Sequence, residues 1–439
     1  MADRLEIHHI NVNNGDATLI ILRDNNKIEC SILIDGGMNS FYQYISGYLA
    51  TFAGINHIFD CIILTHFHED HFNGLADGLK YSGIKIKYLI DPGGYGLGGV
   101  TKKPYICGNT LNNIAPSNKN KDYKGKGQNT ENYKSALRTA ANTYGLKRYK
   151  SWDDFENNLG KNDLCLGNVG INPVYLKCIA GGGYTLNKDG NISQPAWKYK
   201  YGKNNPNNFT LAFILKCGEF RYFIGGDMGG ETKSGYIDQE TIASGYLREQ
   251  LFKDTVISLD ESEKEATGHI CGLKINHHAS SHSSNSTFLK SMTPAVCITS
   301  VGNRKEWGLP KPEVIKKIHD DAKPLTSWWD MGKGKFDPPD PRVFARGAYF
   351  TNLYNLSQTK QALEEARKLF FLKQKEGINF SYGQNYYEIS SYIVVVRKED
   401  SPETESIFHV YDYESALSPQ LKFLATYFCH KPKDQNHTK

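Results

Sequence analysis

The segment Thr65-His66-Phe67-His68-Glu69-Asp70-His71 places three histidines and an aspartate within a few residues, directly after the apolar run 61–64. Imidazole nitrogens and carboxylate oxygens are ligands for borderline divalent cations. Two histidines spaced two apart at a strand end can converge on one cation, while Asp70 and His71, turned by the start of a helix, can face a second. Further ligands must come from other strand ends, and two candidates stand out. Residues 220–224 run into Gly225-Gly226-Asp227, a carboxylate on small residues that can bridge two cations, and 273–276 run into His277-His278. The metal-ligand candidates are therefore His66, His68, Asp70, His71, Asp227 and His277, and the sequence does not choose between His277 and His278. The catalytic candidates are Asp70, His278 and His282, the two histidines because an imidazole can protonate a leaving oxygen near neutral pH. Asp35 and Asp16 are either turn residues or groups that orient a ligand from behind.

The elements that position these residues follow from apolar periodicity. Strands are expected at 7–12, 18–22, 30–34, 60–65, 85–90, 209–216, 220–224, 273–275, 295–300, 390–397 and 405–411. Helices are expected at about 40–52, 73–81, 131–144, 152–158 and 418–428, with a further amphipathic helix carrying Ala362, Leu363, Ala366, Leu369 and Phe370. A core over 1–320 is expected to be interrupted by a basic Tyr/Lys/Asn-rich insertion at about 92–206. A second insertion is expected at 325–383, and 384–439 close the chain. With 439 residues, 39% hydrophobic and 23% charged, the composition excludes disordered, collagenous and coiled-coil classes. No apolar run approaches the roughly 18 residues that span a bilayer, and the first residues carry no leader pattern, so a cytoplasmic protein without a membrane segment is expected. The nine cysteines are scattered and never paired as C-x-x-C, which favours buried free thiols.

In order and spacing, these residues resemble the metallo-β-lactamase superfamily, and more narrowly the metallo-β-lactamase-like domain of the ComEC competence family. The family's D-V-G-Q-G-D turn reads Asn11-Val12-Asn13-Asn14-Gly15-Asp16 here, and its aspartate-glycine strand end reads Ile34-Asp35-Gly36-Gly37. Its N-x-x-S start resembles Asn207-Asn208-Phe209-Thr210, its T-G-D Gly225-Gly226-Asp227, its H-H-G-S His277-His278-Ala279-Ser280, and its S-V-G Ser300-Val301-Gly302. The resemblance covers about half of the chain. It implies an α+β fold, a four-layer αβ/βα sandwich with two insertions, and a metal-dependent hydrolase acting through a water activated by two divalent ions, zinc or manganese. The superfamily's third histidine on the first metal has no counterpart between His71 and His269, and Asn207 or Asn208 occupies that neighbourhood, either as a ligand or behind one. A weaker first site is therefore expected. The family's later H-P pair reads Leu309-Pro310, and no membrane channel like that family's is expected beside the domain.

The substrate expectation rests on charge. Residues 101–150 hold eleven lysines and arginines against two acids, interleaved with five tyrosines. Cations that track phosphates, mixed with rings on which bases stack, suit nucleic acid, with Lys119, Lys121, Lys124 and Lys126 as contact candidates. Phosphodiester hydrolysis by a nuclease is thus the leading expectation. The alternatives are hydrolysis of a small phosphoester and a catalytically weak nucleic-acid-binding protein, and protein partners are not indicated. The Gly94-Tyr95-Gly96-Leu97-Gly98-Gly99 run is no nucleotide loop, because Pro104 and Gly108 follow where a helix must start.

Overall fold

A computed structural model describes residues 1–39, 42–81, 84–92, 106–107, 130–144, 147–150, 163–193, 205–233, 235–251, 270–302, 307–322, 324, 347–354, 360–370, 386–398, 407–413 and 421–428. Lys119, Lys121, Lys124 and Lys126, and the glycine run at 94–99, lie outside these residues.

The N-terminal half alternates strands and helices: β1 (Arg4–His9), β2 (Thr18–Asp24), β3 (Lys27–Ile34), α1 (Tyr42–Ala53), β4 (Ile58–Ile63), α2 (Glu69–Tyr81), β5 (Lys85–Asp91), β6 (Ile106–Cys107), α3 (Thr130–Tyr144) and β7 (Lys147–Lys150). The second half begins with β8 (Leu164–Val169), β9 (Asn172–Gly181), β10 (Tyr184–Leu186), β11 (Ile192–Ser193), β12 (Ala212–Cys217) and β13 (Phe220–Ile224). It continues through α4 (Gln239–Tyr246), β14 (Gly272–Lys274), α5 (Ser286–Met292), β15 (Val296–Thr299), α6 (Pro312–Lys317), β16 (Ala348–Phe350), β17 (Asn352–Tyr354) and α7 (Lys360–Phe370). The chain ends in β18 (Tyr386–Ile389), β19 (Ser391–Arg397), β20 (Ile407–Tyr413) and β21 (Leu421–Phe428).

Among the described residues, one sheet runs β21-β20-β19-β1-β2-β3-β4-β5-β7-β6, and a second runs β11-β10-β9-β12-β13-β14-β15-β16, with β8 paired to β9. Both sheets are mixed. In the first, β3, β4, β5 and β7 are mutually parallel, and in the second β13, β14, β15 and β16 are. The sheets pack face to face through His9 against Tyr222, Phe220 against Phe408 and Tyr349 against Tyr392. Strand periodicity of two divides the first sheet cleanly. Ile20, Leu22, Ile32, Ile34 and Ile63 point toward the second sheet, while Leu19, Ile21, Leu33, Ile62 and Leu64 point toward α1, α2 and α3. Helix α2 meets them with Phe72, Leu75, Ala76 and Leu79, and α3 with Tyr133, Ala136, Leu137 and Ala140, each one face of a 3.6-residue period. Full burial of side chains such as Phe213, Phe220 and Phe223 contributes about 1.5–3 kcal/mol each. The result is the α+β sandwich of αβ/βα type expected from the motifs. Among the described residues no helix is long and apolar enough to cross a membrane.

Three expectations need correction. The segment expected to form a C-terminal helix at 418–428 is instead the strand β21, an edge strand paired antiparallel to β20, with Ile407 opposite Phe428 and Tyr413 opposite Leu421. Its apolar residues suit either state, and the free edge of β20 decides for a strand. Residues 163–193, where no strand is expected from the sequence, form strands that extend the second sheet: the β8–β9 hairpin turns at Gly170, where φ is +56°. Finally, Cys178, Cys217 and Cys297 are buried free thiols as expected, whereas the free thiols Cys30 and Cys61 are half-buried, Cys165 is exposed, and Cys271 is disulfide-bonded.

Candidate metal centre

The parallel strands of both sheets end at one place, where a sandwich of this kind leaves open backbone and polar termini. Strand β3 delivers Asp35, β4 delivers Thr65 through His71, β13 delivers Asp227 and β14 delivers His277 and His278. Of these, Asp35, Thr65, His66, Asp70, His71, Asp227 and His278 are at most 4% exposed. Asp70 and His71 lie in the first turn of α2, where the helix dipole favours a carboxylate.

Asp227 sits at the middle. Its Oδ2 lies 3.5 Å from His66 Nε2 and 3.6 Å from His277 Nε2, and its Oδ1 lies 3.3 Å from His71 Nε2 and 3.5 Å from His278 Nε2. His68 Nδ1 is 2.8 Å from His66 Nε2, so His66, His68 and Asp227 form one cluster of donor atoms. On the other side, Asp16, His71, Asp227 and His278 form a second cluster whose donor atoms lie within 4.8 Å of one another. Asp70 closes this side, with its Oδ2 3.4 Å from His278 Nε2.

The adjacent histidines can serve opposite sides because the backbone there is left-handed. His277, His278 and Ala279 have φ of 49°, 52° and 60°, a run of non-glycine residues in a region that costs of order 1–3 kcal/mol per residue. In an extended strand their side chains would alternate between the two faces of the sheet. Here both imidazoles reach Asp227, one beside each oxygen. The third imidazole on the Oδ2 side is thus His277, and Asn207 Nδ2 lies against its ring at 3.3 Å. Asn208 turns away, donating to the Gly235 carbonyl and accepting from the Ile237 amide.

Behind these groups, Asp35 accepts from the Thr65 amide and hydroxyl at 2.7 Å each and lies 2.8 Å from His71 Nδ1, which orients that ring. His278 Nδ1 lies 2.9 Å from the Ser300 carbonyl, which turns Nε2 toward Asp70 and Asp227. His282 stands at the rim, hydrogen-bonded through Nδ1 to Glu231 and stacked on Tyr236 with centroids 4.5 Å apart. Two further positioning residues lie outside the site candidates: Thr210, whose hydroxyl meets His66 Nδ1 at 3.4 Å and accepts from the Asp227 amide, and Glu240, which accepts from the Asn276 side chain beside the histidine pair and gave no sequence signal. Gly226 is required sterically, since at φ +51° a Cβ would come 2.8 Å from Thr210 Oγ1 and 2.9 Å from Thr65 Cβ.

Charge separates the two sides. Burial pulls His66 well below its ordinary value, with His71 adding to the effect, and it pulls His277 down to about 4 against the attraction of Asp227. Burial acts on His278 too but is outweighed by Asp227, Asp16 and Asp70, which raise it to about 9. His71 is likewise raised well above the ordinary value, the carboxylates of Asp227, Asp35 and Asp70 overcoming its burial. Burial would raise Asp227, yet His277, His71 and His278 hold it well below the carboxylate range.

A cation fits this arrangement. His71 Nε2, Asp227 Oδ1, His278 Nε2, Asp16 Oδ1 and Asn207 Oδ1 are buried without a hydrogen-bond partner, although such atoms are normally satisfied. Imidazole and carboxylate together suit zinc or manganese.

No family model matches the chain, and no curated protein matches it. Among solved structures, it is similar to the metallo-β-lactamase fold protein YhfI from Bacillus subtilis, at 12% identity over 73% of this chain and 92% of that one, with a TM-score of 0.35. Human tRNase Z, short form, shares 11% identity over 68% and 94% of the two chains, with a TM-score of 0.32. MEM-A1, a subclass B3 metallo-β-lactamase from a soil metagenome, shares 11% over 59% and 74%, with a TM-score of 0.27. Overlaps this small decide nothing about activity, and the sandwich rests on the strand pairing itself.

Proposed function

We propose that this chain is a metal-dependent hydrolase of phosphodiester bonds, acting on nucleic acid. The observation that carries the metal-dependent reading is the set of unpartnered buried atoms His71 Nε2, His278 Nε2 and Asp16 Oδ1 gathered with Asp227 Oδ1, whose other oxygen faces His66 and His277. His66, His68 and His277 with Asp227 Oδ2 would hold one divalent cation, and His71, His278 and Asp70 with Asp227 Oδ1 a second. When bound, two such cations supply Lewis-acid polarisation of a water and of the scissile group. The protein's own part is to fix the donors. Asp35 orients His71, Thr210 orients His66, and the Ser300 carbonyl orients His278.

Proton transfer falls to His282 at the rim. Its side chain is 36% exposed, and Glu231 engages Nδ1, which leaves Nε2 for the leaving oxygen. The nucleic-acid part of the reading is supported by the basic, tyrosine-rich stretch at 101–150 and by the motif resemblance. The test is turnover of single- and double-stranded DNA, RNA, cyclic dinucleotides and bis-p-nitrophenyl phosphate by metal-loaded protein, with Asp70→Ala as control. Metal-dependent cleavage of oligonucleotides that Asp70→Ala loses is the expected result. Turnover of the small esters alone would move the reading to a small phosphoester hydrolase, and no turnover with any of them would end it.

A further inference from the structure

The second cluster contains a carboxylate that the ligand motifs do not include and an ammonium that no hydrolytic role requires. Lys274, the last residue of β14, is 1% exposed and donates to Asp16 Oδ2. Lysine is almost never fully buried without a partner, and Asp16 is itself only 1% exposed. The pair joins the turn before β2 to the strand that carries the histidine pair, so it forms only when the two sheets have packed.

Asp16 is held from three directions. Its amide donates to the Asp70 carbonyl at 3.2 Å, and its carbonyl accepts from the Gly37 amide at 2.8 Å. Gly15 before it has φ +103°, and a Cβ there would lie 1.9 Å from the Asp70 carbonyl oxygen, so the turn is pressed flat against the start of α2. Lys274 takes Oδ2. Oδ1 remains buried without a hydrogen-bond partner, 3.6 Å from His278 Nδ1 and grouped with His71, Asp227 and His278. A buried ion pair built only for structure would satisfy both oxygens, because an unpaired one costs free energy.

Charge accounts for the lysine. Asp16, Asp70 and Asp227 gather on one side of the centre, where burial makes each uncompensated carboxylate expensive. An ammonium donates and has no lone pair for a metal, so Lys274 is not a ligand; as the ion-pair partner of Asp16 it stands against one of the three carboxylates.

We propose that Asp16 is a direct ligand group on the Oδ1 side of Asp227 and that Lys274 is the residue that positions it. This rests on the two-cation reading above. Lys274 occupies one oxygen of Asp16 and so directs the other into the cluster.

The test is equilibrium dialysis of the full chain against cobalt(II), with visible absorption of the bound ion and thermal unfolding of the metal-free protein. The variants are Asp16→Asn, Lys274→Met and the double variant. Wild type should take up two ions. Each single variant should weaken one of them by about 10–100-fold, leave the other unchanged, and intensify the absorption of the weakened ion as its coordination number falls. The double variant should bind no more weakly than Asp16→Asn alone, because Lys274 acts through Asp16. Wild-type affinity for both ions in either single variant overturns the proposal, as does a further loss in the double variant. If Lys274→Met does not fold, Asp16→Asn and the double variant, neither of which leaves an unpaired buried carboxylate, carry the same comparison. Uptake of fewer than two ions by wild type would overturn the two-cation reading and this assignment together, a result distinct from failure of the assignment alone.

Discussion

The two oxygens of Asp227 face surroundings of opposite character. On the Oδ2 side, His66, His68 and His277 are held neutral by burial, each with a lowered pKa. On the Oδ1 side, His71 and His278 are also buried, but Asp227, Asp70 and their neighbours raise both. Identical side chains at similar depth thus carry different charge, because carboxylates collect on one side only. A cation entering the Oδ2 side meets ready lone pairs, whereas one entering the Oδ1 side must displace protons. The comparison teaches that depth alone does not make an imidazole a ligand; the count of nearby carboxylates sets the protonation state it starts from.

Removing the residue that both sides share should have the largest effect. Asp227→Ala should lose cations on both sides and lower turnover by more than the about 10–100-fold typical of an orienting residue, with the fold retained by circular dichroism. If turnover and metal content are both kept, Asp227 is no bridge. Next in size is the pH dependence of the metal-free protein. His278 is raised from 6.5 to about 9, so its contribution to stability is full below about pH 6.5 and is lost as pH rises through 9. His277 is lowered from 6.5 to about 4, so its contribution is present above about pH 6.5 and is lost as pH falls through 4. Thermal unfolding across pH 3–10 should therefore show both losses, with His278→Gln removing the alkaline one and His277→Gln the acid one; the reverse pattern would exchange the two sides. A pH indicator in weak buffer near pH 7.5 should register proton release for the ion bound on the Oδ1 side and almost none for the other.

Smaller effects follow farther from the shared carboxylate. Gly226→Ala forces a side chain into a left-handed position against Thr210 and Thr65, and should destabilise by more than about 1 kcal/mol by denaturant unfolding. An unchanged midpoint would show that the loop can move. The smallest effect on the centre is expected from replacing Lys119, Lys121, Lys124 and Lys126 together. Turnover of bis-p-nitrophenyl phosphate should be almost unchanged, while the salt dependence of oligonucleotide cleavage flattens. Wild-type oligonucleotide cleavage across a salt series would remove the insertion from the substrate reading.

Which residues come together at the candidate centre was largely legible, because ligand chemistry is written in residue type and strand ends are written in apolar runs. His66, His68, Asp70 and His71 lie in one segment, and Asp227 and His277-His278 each follow an apolar strand. The helices α2, α3 and α7 were legible for a related reason, since an apolar stripe at helical spacing needs no knowledge of its partner. Strand β21 was not, because its state depends on the free edge of β20. The assignment of His277 to one oxygen and His278 to the other was also beyond the sequence, as it turns on three left-handed φ angles that no glycine announces. Asn207 and Asn208 look alike in the chain, yet one lies at the centre and the other caps the loop at 235–237. Lys274 stands out in the chain as a charge inside an apolar strand, but its partner Asp16 comes from the turn before β2, in the opposite sheet. Residue type and local periodicity are properties of a short segment and can be read from it. The side of Asp227 each donor faces, and the carboxylates that set its charge, exist only once two sheets distant in the chain have packed.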